Sequence, residues 1–226
     1  MTGESGRTAA SWDAEYAAGR YASEPPVAFT GDIIAAARQT GLTSGIYIGC
    51  GNGRNYLPLV AEGLDLAGLD ISAAAIAQLA ARAPGRRDRL IHGDLRALPA
   101  AASFPLVIGI QVFQHGDRIA AHGHIRAAQR LVAAGGLFCL RVNATATEIW
   151  YRHEIAEQHP DGSFTVRYLA GPKRSLLIHF FTAAELTALF AGQFTPLLPL
   201  RLQQTRREPP QSGQWSSWEA IWRRGS

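Results

Sequence analysis

Short apolar runs alternate with segments of helical periodicity through roughly the first 145 residues of the chain. The apolar runs predict strands at residues 45–49, 65–70, 89–92, 106–110 and 137–142. The periodic segments predict helices at about 27–39, 55–61, 73–82 and 119–133, each followed shortly by a glycine. This alternation is typical of a parallel sheet that is covered by helices on both faces.

The pattern changes after Asn143. Residues 143–182 mix aromatic side chains, histidines and charges, and turns are predicted at Pro160-Asp161-Gly162 and Gly171-Pro172. We interpret residues 143–182 as an insert that forms part of a substrate wall or lid. The elements predicted after the insert are a helix at 183–190 and strands at 194–204 and 214–222. We expect a single domain that comprises residues 1–226.

Composition favours a cytoplasmic globular protein. The chain has 226 residues, of which 47% are hydrophobic, so it can bury a core without disulfides or metal. No apolar run approaches the roughly 20 residues of a membrane helix. Residues 1–11 contain no apolar signal-peptide core and are expected to be a flexible lead-in. The two cysteines, Cys50 and Cys139, are not expected to pair, which fits a reducing compartment.

The formal charge of +4 is not organised for nucleic acid. The basic residues are scattered, and no basic run is interleaved with aromatic side chains. Lys173 is the only lysine among 22 basic residues, a bias that we attribute to genomic composition. We therefore do not expect nucleic acid or membrane as a partner.

Three glycines follow the first predicted strand, at positions 49, 51 and 53. A glycine loop between a strand and a helix lets the backbone approach a nucleotide-like ligand, since no Cβ blocks the approach. The dinucleotide pattern G-x-G-x-x-G would place its third glycine at position 54, where the chain has Arg54. The spacing therefore argues against NAD, and a purely structural turn is the alternative.

Two acidic residues end the next two strands. Asp70 comes about 20 residues after the loop, where a carboxylate can accept hydrogen bonds from both hydroxyls of a ribose. The alternative is that Asp70 caps the following helix, for which Ser72 is also a plausible N-cap. Asp94 follows the third strand, where it could accept from an adenine amine while Ile71 and Leu95 enclose the ring. An exposed turn aspartate is the alternative for Asp94.

Polar residues also follow the fourth strand. Gln111 stands at its carboxyl end, where open α/β sheets bind ligands, and could line the donor. His115 is the best candidate for a general base, because the intrinsic pKa of histidine lies near working pH. A structural role is the alternative for His115.

Taken together, these segments resemble the ordered motifs of class I S-adenosylmethionine-dependent methyltransferases. The motifs are residues 49–55, 68–72, 93–99, the strand that ends at Gln111, and residues 134–138. The opening residues Trp12-Asp13-Ala14-Glu15-Tyr16, with Tyr21 and Pro25-Pro26, are similar to the small-molecule branch that includes tellurite-resistance and thiopurine methyltransferases.

The resemblance implies a Rossmann-like, doubly wound, mostly parallel seven-stranded sheet with an antiparallel last strand. It implies S-adenosylmethionine as the cofactor and an N-terminal lid formed by residues 1–30, although ordinary packing is the alternative for Tyr16 and Tyr21. The residues that it places at the cofactor are Tyr16, Tyr21, Gly49, Gly51, Asn52, Gly53, Asn55, Asp70, Ile71, Asp94, Leu95 and Gln111. One position departs from the family: Tyr47 replaces the acidic residue that usually precedes the loop.

The expected reaction is methyl transfer to a small-molecule acceptor, with His115, Tyr151, His153 or His179 as the proton acceptor. A soft nucleophile would need no base, which is the alternative. A nucleic-acid or protein methyltransferase is one alternative, although the Asn/Asp-Pro-Pro-Tyr signature is absent after the fourth strand. A non-catalytic module that binds S-adenosylmethionine is another. We expect a monomer or a homodimer.

No metal site is expected. The segment from His153 to Glu157 nearly matches the zinc motif H-E-x-x-H, but Glu157 replaces the second histidine. His122 and His124 are expected on a solvated helix surface. Five aromatic residues of the insert are expected to form either a substrate wall or ordinary core: Trp150, Tyr151, Phe164, Tyr168 and Phe180.

Overall fold

The computed structural model describes residues 4–21 and 23–225. Its strands are β1 (Ser44–Ile48), β2 (Asp65–Asp70), β3 (Leu90–His92), β4 (Phe104–Ile110), β5 (Val132–Asn143), β6 (His153–Gln158), β7 (Phe164–Tyr168), β8 (Leu177–Phe180), β9 (Phe194–Arg206) and β10 (Gln214–Arg224). Its α-helices are α1 (Glu4–Ala17), α2 (Phe29–Thr40), α3 (Tyr56–Ala61), α4 (Ala73–Arg82), α5 (Arg118–Arg130) and α6 (Ala183–Phe190).

Seven strands form the main sheet, in the order β3-β2-β1-β4-β5-β10-β9. Strands β1 to β5 pair in parallel, whereas β10 runs antiparallel to both β5 and β9. The expected Rossmann-like sheet with a reversed last strand is therefore confirmed. The strand order reverses at β1, between β2 and β4, and a crevice for ligand forms at the carboxyl ends of strands at such a point.

The sheet separates two apolar layers because successive side chains of a strand point to opposite faces. In β1, Ile46 and Ile48 pack in one layer and Tyr47 packs in the other. In β4, Val107 belongs to the first layer and Ile108 to the second. Both layers are buried, which fixes the register of the central strands and hence the position of the loops that follow them.

Local signals set several boundaries where the sequence predicts them. Strand β2 and helices α4 and α6 span the predicted residues. Ser72 caps α4, since its hydroxyl accepts from Ala75 N at 3.0 Å. At α6, Thr182 and Glu185 form a reciprocal capping box.

The N-terminal expectation was wrong in part. Residues 4–11 belong to helix α1 rather than to a flexible lead-in, while residues 1–3 lie outside the described part of the chain. Asp13 of α1 accepts hydrogen bonds from Ser72 Oγ at 2.6 Å and from Ala74 N at 3.1 Å. Packing on α4 therefore stabilises a helix that local sequence alone does not indicate. The proposed lid, residues 1–30, includes positions 1–3 and 22, which lie outside the described residues.

The predicted end of α5 was also wrong. The helix stops at Arg130, and β5 begins at Val132, so the glycines 135 and 136 lie inside the strand. A Cβ at Gly136 would stand 2.7 Å from the carbonyl oxygen of Pro105. Gly136 therefore permits close approach of neighbouring backbone at a register shift between β4 and β5, and Gly135 supplies a positive φ of 73° there. Neither glycine ends the helix.

The insert is a separate antiparallel sheet, with strand order β6-β7-β8. Its last strand contacts the segment after β4: His179 N donates to Gln114 O at 2.8 Å, and Gly116 N donates to Leu177 O at 2.9 Å. The two ends of the insert are neighbours, because Ala144 and Phe181 form a bridge and Phe181 N donates to Asn143 O at 2.9 Å. The insert therefore leaves and rejoins the main fold at one place.

Two further expectations can be compared with the structure. Cys50 and Cys139 are buried and unpaired, as expected. Among the described residues, no helix combines the length and the apolar character that crossing a membrane requires.

Candidate functional site

A cavity of about 490 Å³ lies at the carboxyl ends of β1, β2 and β4, beneath α1. Its wall contains most of the residues that the sequence analysis places at the cofactor: Tyr16, Tyr21, Gly49, Gly51, Asn52, Asn55, Asp70, Ile71, Asp94, Leu95 and Gln111. Its size falls within the range of small-molecule sites. The sheet topology brings together residues that are far apart in sequence, because parallel strands end at one edge.

The glycine loop forms the floor of the cavity. Gly49 and Gly51 have positive φ angles of 73° and 55°, a backbone conformation that favours glycine. The loop is tied to the neighbouring strand, since the amides of residues 49 and 50 donate to Leu69 O at 2.7 and 3.1 Å. A Cβ at Gly51 would lie 2.4 Å from Tyr16 Oη, so helix α1 packs directly on the loop.

Gly53 has a different place from the one expected. It does not line the cavity, and a Cβ there would stand 2.6 Å from Leu79 Cδ1 and 2.9 Å from Leu57 Cγ. The glycine therefore allows the loop to pack closely on α3 and α4. It shapes the loop from behind instead of facing a ligand.

Asp70 is held under the loop by two backbone amides. Its Oδ2 accepts from Gly51 N at 2.7 Å, and its Oδ1 accepts from Ser72 N at 2.9 Å. Burial raises the pKa of Asp70, and the two backbone hydrogen bonds limit that rise. Because Ser72 is the N-cap of α4, the capping alternative for Asp70 does not apply.

Asp94 lies at the cavity wall with a different environment. Its carboxylate forms hydrogen bonds with Arg96, with Arg96 Nε 3.0 Å from both oxygens, and this pairing lowers the pKa of Asp94. Asp94 also caps the short 3₁₀ helix Leu95–Ala97. The turn-aspartate alternative therefore describes its local role, while its position in the wall is the one expected for an adenine contact.

Gln111 is the wall residue with unusual backbone geometry. Its φ of 57° lies in the left-handed region, which a side chain such as glutamine seldom adopts. With its amide oriented by its neighbours, Oε1 accepts from Arg141 Nη1 at 3.0 Å and from Trp215 Nε1 at 3.3 Å. Gln111 N also donates to Arg141 O at 2.7 Å. These contacts hold a strained residue at the end of β4.

Arg141 connects Gln111 to a chain of charges inside the sheet. Arg141 Nε donates to Glu219 Oε1 at 2.9 Å, and both side chains are buried. The second oxygen of Glu219 accepts from Arg201 Nη2 at 2.8 Å, and Arg201 pairs in turn with Asp32. The sequence analysis missed this network because its members come from four elements.

Helix α1 lines one side of the cavity. Gln78 Nε2 donates to Tyr16 O at 2.8 Å, which fixes α1 on α4. Trp12 packs against Tyr16, Tyr21 and His115, with ring centroids 5.5 to 6.0 Å apart. Burial raises the pKa of Tyr16 and raises that of Tyr21 to about 12, so both phenols are neutral at physiological pH.

Tyr47 occupies the position where the family usually has an acid. The ring is buried, burial raises the pKa of its phenol, and its side chain forms a hydrogen bond with Asn55. Asn55 lines the cavity, and its Oδ1 accepts from Val27 N at 2.9 Å. The phenol therefore supports a cavity residue from behind, in place of a carboxylate.

Among the four expected proton acceptors, His115 alone lines the cavity. The surrounding protein lowers the pKa of His115 to about 3, chiefly by excluding water from the ring, with a further contribution from Lys173. No described residue forms a hydrogen bond with His115 Nδ1. This lowered pKa departs from the intrinsic value on which the general-base hypothesis was based, and it keeps the imidazole neutral at physiological pH.

The other three expected proton acceptors do not line the cavity. Tyr151 packs against Gly171. His153 is the first residue of β6, and its Nδ1 lies 2.8 Å from Tyr151 O. His179 is buried between Thr165 and Glu185. Sequence reasoning placed them in the site because the insert follows the cofactor strands, whereas the insert's own sheet directs them elsewhere.

The aromatic residues of the insert also pack away from the cavity. Tyr168 and Phe180 form the small core of the insert sheet, with Tyr151 and Phe164 packed against it. Trp150 is 45% exposed. Core packing, one of the two expected alternatives, is thus the one observed for Tyr168 and Phe180.

Several wall residues were not expected from the sequence. Trp12 and Thr8 come from α1, and Ala120, His124 and Ala127 come from one face of α5. His124 was expected on the surface, and it is exposed but also borders the cavity. The spacing of four and then three residues on α5 is a helical stripe, and this stripe was the available signal.

The lowered pKa of His115 predicts how the stability of the protein depends on pH. Since the folded pKa is about 3 and the unfolded value about 6.5, the unfolded chain binds this proton first as the pH falls. The free energy of unfolding should therefore fall with decreasing pH between about 6.5 and 3. For this histidine the loss is about 1–2 kcal/mol at pH 5, and His115→Gln should abolish it. Urea unfolding of both proteins at pH 7.5 and pH 5 measures the difference. Parallel pH profiles for the two proteins would contradict the assignment.

Comparison with known proteins agrees with the fold. Residues 46–136 match the family model described as a methyltransferase domain. The sequence matches none of the curated proteins with which it was compared. Residues 46–136 contain the glycine loop, Asp70, Asp94 and Gln111, so the matched domain contributes most of the cavity wall.

Solved structures resemble almost the entire chain. An S-adenosylmethionine-dependent methyltransferase from Clostridium acetobutylicum is 12% identical with a TM-score of 0.62, covering 91% of this chain and 94% of its own. The 1,6-didemethyltoxoflavin-N1-methyltransferase of Burkholderia thailandensis is 18% identical with a TM-score of 0.63, covering 100% and 92%. TehB from Haemophilus influenzae is 16% identical with a TM-score of 0.60, covering 95% and 67%. The chain has the fold of class I methyltransferases.

Proposed function

We propose that the protein transfers a methyl group from S-adenosylmethionine to a small-molecule acceptor. The observation that carries this proposal is the cavity of about 490 Å³, one wall of which is formed by the glycine loop and the Asp70 carboxylate. Both belong to the segment that matches the methyltransferase-domain model. Solved methyltransferases of the same fold include one whose structure contains 1,6-didemethyltoxoflavin and S-adenosylhomocysteine, which supports a small-molecule acceptor.

The wall residues fit this donor. We assign the ribose hydroxyls to Asp70, because its carboxylate is already fixed by two amides and turned toward the loop. Ile71 and Leu95 supply apolar contacts for the adenine, beside Asp94. Gly49 and Gly51 leave room for the methionine portion, and Tyr16 covers the loop from above.

Bound S-adenosylmethionine would supply a methyl group that is already activated by a sulfonium. The chain then has to hold the acceptor in line with that methyl group, and positioning of this kind provides a large part of a rate gain. Arg141 and Trp215 fix the amide of Gln111, so this side chain keeps one orientation in the cavity wall. The ring of His115 lines the cavity, but a pKa of about 3 makes it a poor proton acceptor.

Three further assignments belong to this proposal. We infer a single domain over the whole chain, with α1 as the lid and residues 143–182 as an insert that packs beside the cavity through the segment after β4. We infer a cytoplasmic location, which two unpaired cysteines support. We infer a monomer or a homodimer that acts without nucleic acid.

Calorimetry and a methyl-transfer assay test the function directly. Purified protein titrated with S-adenosylmethionine and with S-adenosylhomocysteine should show saturable binding at one site per chain, whereas NAD should not bind. Production of S-adenosylhomocysteine is then measured over a panel of small amines, phenols, thiols and carboxylic acids. If neither nucleoside binds, the proposed function is wrong; binding without turnover on any acceptor supports a non-catalytic module instead.

A further inference from the structure

A second polar cluster joins the insert to the main fold, away from the cavity. It consists of His122 on α5, His179 on β8 and Glu185 on α6. Glu185 Oε1 lies 2.6 Å from His122 Nε2 and 3.0 Å from His179 Nε2. The side chains of His179 and Glu185 are 0% and 1% exposed, and that of His122 is 18% exposed. Three elements thus bring two imidazole nitrogens to one carboxylate oxygen.

The hydrogen bonds around His179 determine where its proton lies. Thr165 Oγ1 is 2.8 Å from Glu157 Oε2 and 3.0 Å from His179 Nδ1. An ionised carboxylate only accepts, so the hydroxyl of Thr165 donates to Glu157 and its oxygen accepts from His179 Nδ1–H. In the neutral ring, Nε2 therefore carries a lone pair.

That lone pair faces another acceptor. His179 Nε2 points at Glu185 Oε1, which has no proton to donate when ionised. The guanidinium of Arg118 donates to the same oxygen at 2.9 Å and offsets part of its charge. The His179 lone pair is still aimed at a carboxylate oxygen, and a metal ion bound to both atoms would satisfy both acceptors.

The charges of the neighbourhood favour a dication. The guanidinium of Arg118 pairs with Asp161 and Glu185, and the backbone amide of Arg118 donates to the carboxylate of Glu157. Three carboxylates and one guanidinium leave two net negative charges, which one divalent ion balances.

We propose that His122 Nε2, His179 Nε2 and Glu185 Oε1 bind a divalent transition metal, of which zinc is the best match. Two histidines and one glutamate, with a fourth position left for water, are an established zinc ligand set. The path from His179 through Thr165 to Glu157 is the outer hydrogen bonding that orients a metal-bound imidazole.

The required movement is small. Zinc–ligand bonds of 2.0 to 2.2 Å place ligand atoms about 3.3 Å apart in a tetrahedron, so Glu185 Oε1 needs to withdraw by about 0.3–0.7 Å from the two imidazoles. The two imidazole nitrogens themselves lie within 4.8 Å of each other. Arg118 Nε also lies 2.9 Å from Glu185 Oε1, but Arg118 pairs with Asp161 as well and keeps that partner when a metal takes the oxygen. The exposed edge of His122 provides an entry path.

The position of the site implies a structural role. The three ligands tie the insert sheet to α5 and α6, and the backbone of His179 donates to Gln114 beside the cavity. The second possible ligand group, Glu157, His159 and His179 Nδ1, has the Thr165 hydroxyl between its members and uses the ring nitrogen that is already protonated. We therefore place the ion at Nε2.

Metal analysis of untagged protein tests the proposal. After treatment with EDTA and equilibration with Zn²⁺ or Co²⁺, gel-filtered protein should retain about one metal per chain by mass spectrometry. The Co²⁺ form should show the visible absorption of a four-coordinate site, and Zn²⁺ should raise the melting temperature. His122→Ala, at a partly exposed position, and Glu185→Gln should each weaken Zn²⁺ binding at least about 100-fold.

Matched controls use the other histidines of the insert. His159 belongs only to the second ligand group, and His153 belongs to neither. The variants His159→Ala and His153→Ala should therefore both retain one metal per chain. The proposal is overturned if wild-type protein retains no Zn²⁺, if His122→Ala binds it as tightly as wild type, or if NMR finds a His179 imidazolium in metal-saturating buffer. These readouts do not depend on methyl transfer.

Discussion

Asp70→Asn is expected to raise the dissociation constant for S-adenosylhomocysteine about 100-fold. In the proposed complex, the carboxylate accepts from the ribose hydroxyls while two backbone amides hold it in place. An asparagine turns one acceptor into a donor, so either a backbone amide or a hydroxyl loses its partner. Hydrogen bonds to a charged group contribute about 1.5–3 kcal/mol, and about 2.7 kcal/mol corresponds to 100-fold. Isothermal titration calorimetry measures the change.

Asp65→Asn is the matched control, since it makes the same substitution at the opposite end of β2. Asp65 is 45% exposed and pairs with Arg86 and Arg89 far from the cavity. Its affinity for the nucleoside should stay within about twofold of wild type, because exposed ion pairs contribute little. Equal affinities for the Asp70 variant and the Asp65 variant would contradict the ribose assignment.

Arg141→Met is expected to lower the free energy of unfolding by about 3 kcal/mol. Methionine keeps much of the volume of the side chain but leaves Glu219 Oε1 and Gln111 Oε1 without their buried donor. Breaking a buried ion pair by removing one partner typically costs 3–5 kcal/mol, and the remaining contact of Glu219 with Arg201 places this case at the lower end. Urea unfolding at pH 7.5 measures the loss.

Arg201→Met removes the outer arginine of the same carboxylate. Arg201 is 39% exposed, and its loss leaves the buried pair of Arg141 and Glu219 intact. We expect a loss of no more than about 1 kcal/mol. A larger loss for Arg201→Met than for Arg141→Met would mean that the buried pair does not dominate the network.

The sequence predicts the cofactor half of the molecule because its signals are local. A buried strand that ends at Asp70, followed by the cap at Ser72, sets both β2 and α4. The parallel topology then predicts which distant residues meet, because strands that end at one edge bring Asp70 and Gln111 to the loop at Gly51. Site residues follow from the fold when they stand directly after a strand.

The remaining features depend on packing between distant segments. Helix α1 is held on α4 by Asp13, which accepts hydrogen bonds from Ser72 and Ala74, 59 and 61 residues away in the chain. The pKa of His115 follows from the water that the fold excludes, so the residue type alone predicts the wrong value. His122 and Glu185 are 63 residues apart in the chain and meet only through the insert sheet.

The adjacent ends of the insert have an evolutionary consequence. Because Ala144 and Phe181 are bridged, everything between them can change in length without altering how β5 meets α6. A relative could exchange this single cassette and keep the nucleoside-holding frame, provided that residues 177–179 still pair with residues 114–116. The described cavity wall contains no residue of 143–182, so replacing this one continuous stretch of gene would change the surface beside the cavity and leave the wall itself in place.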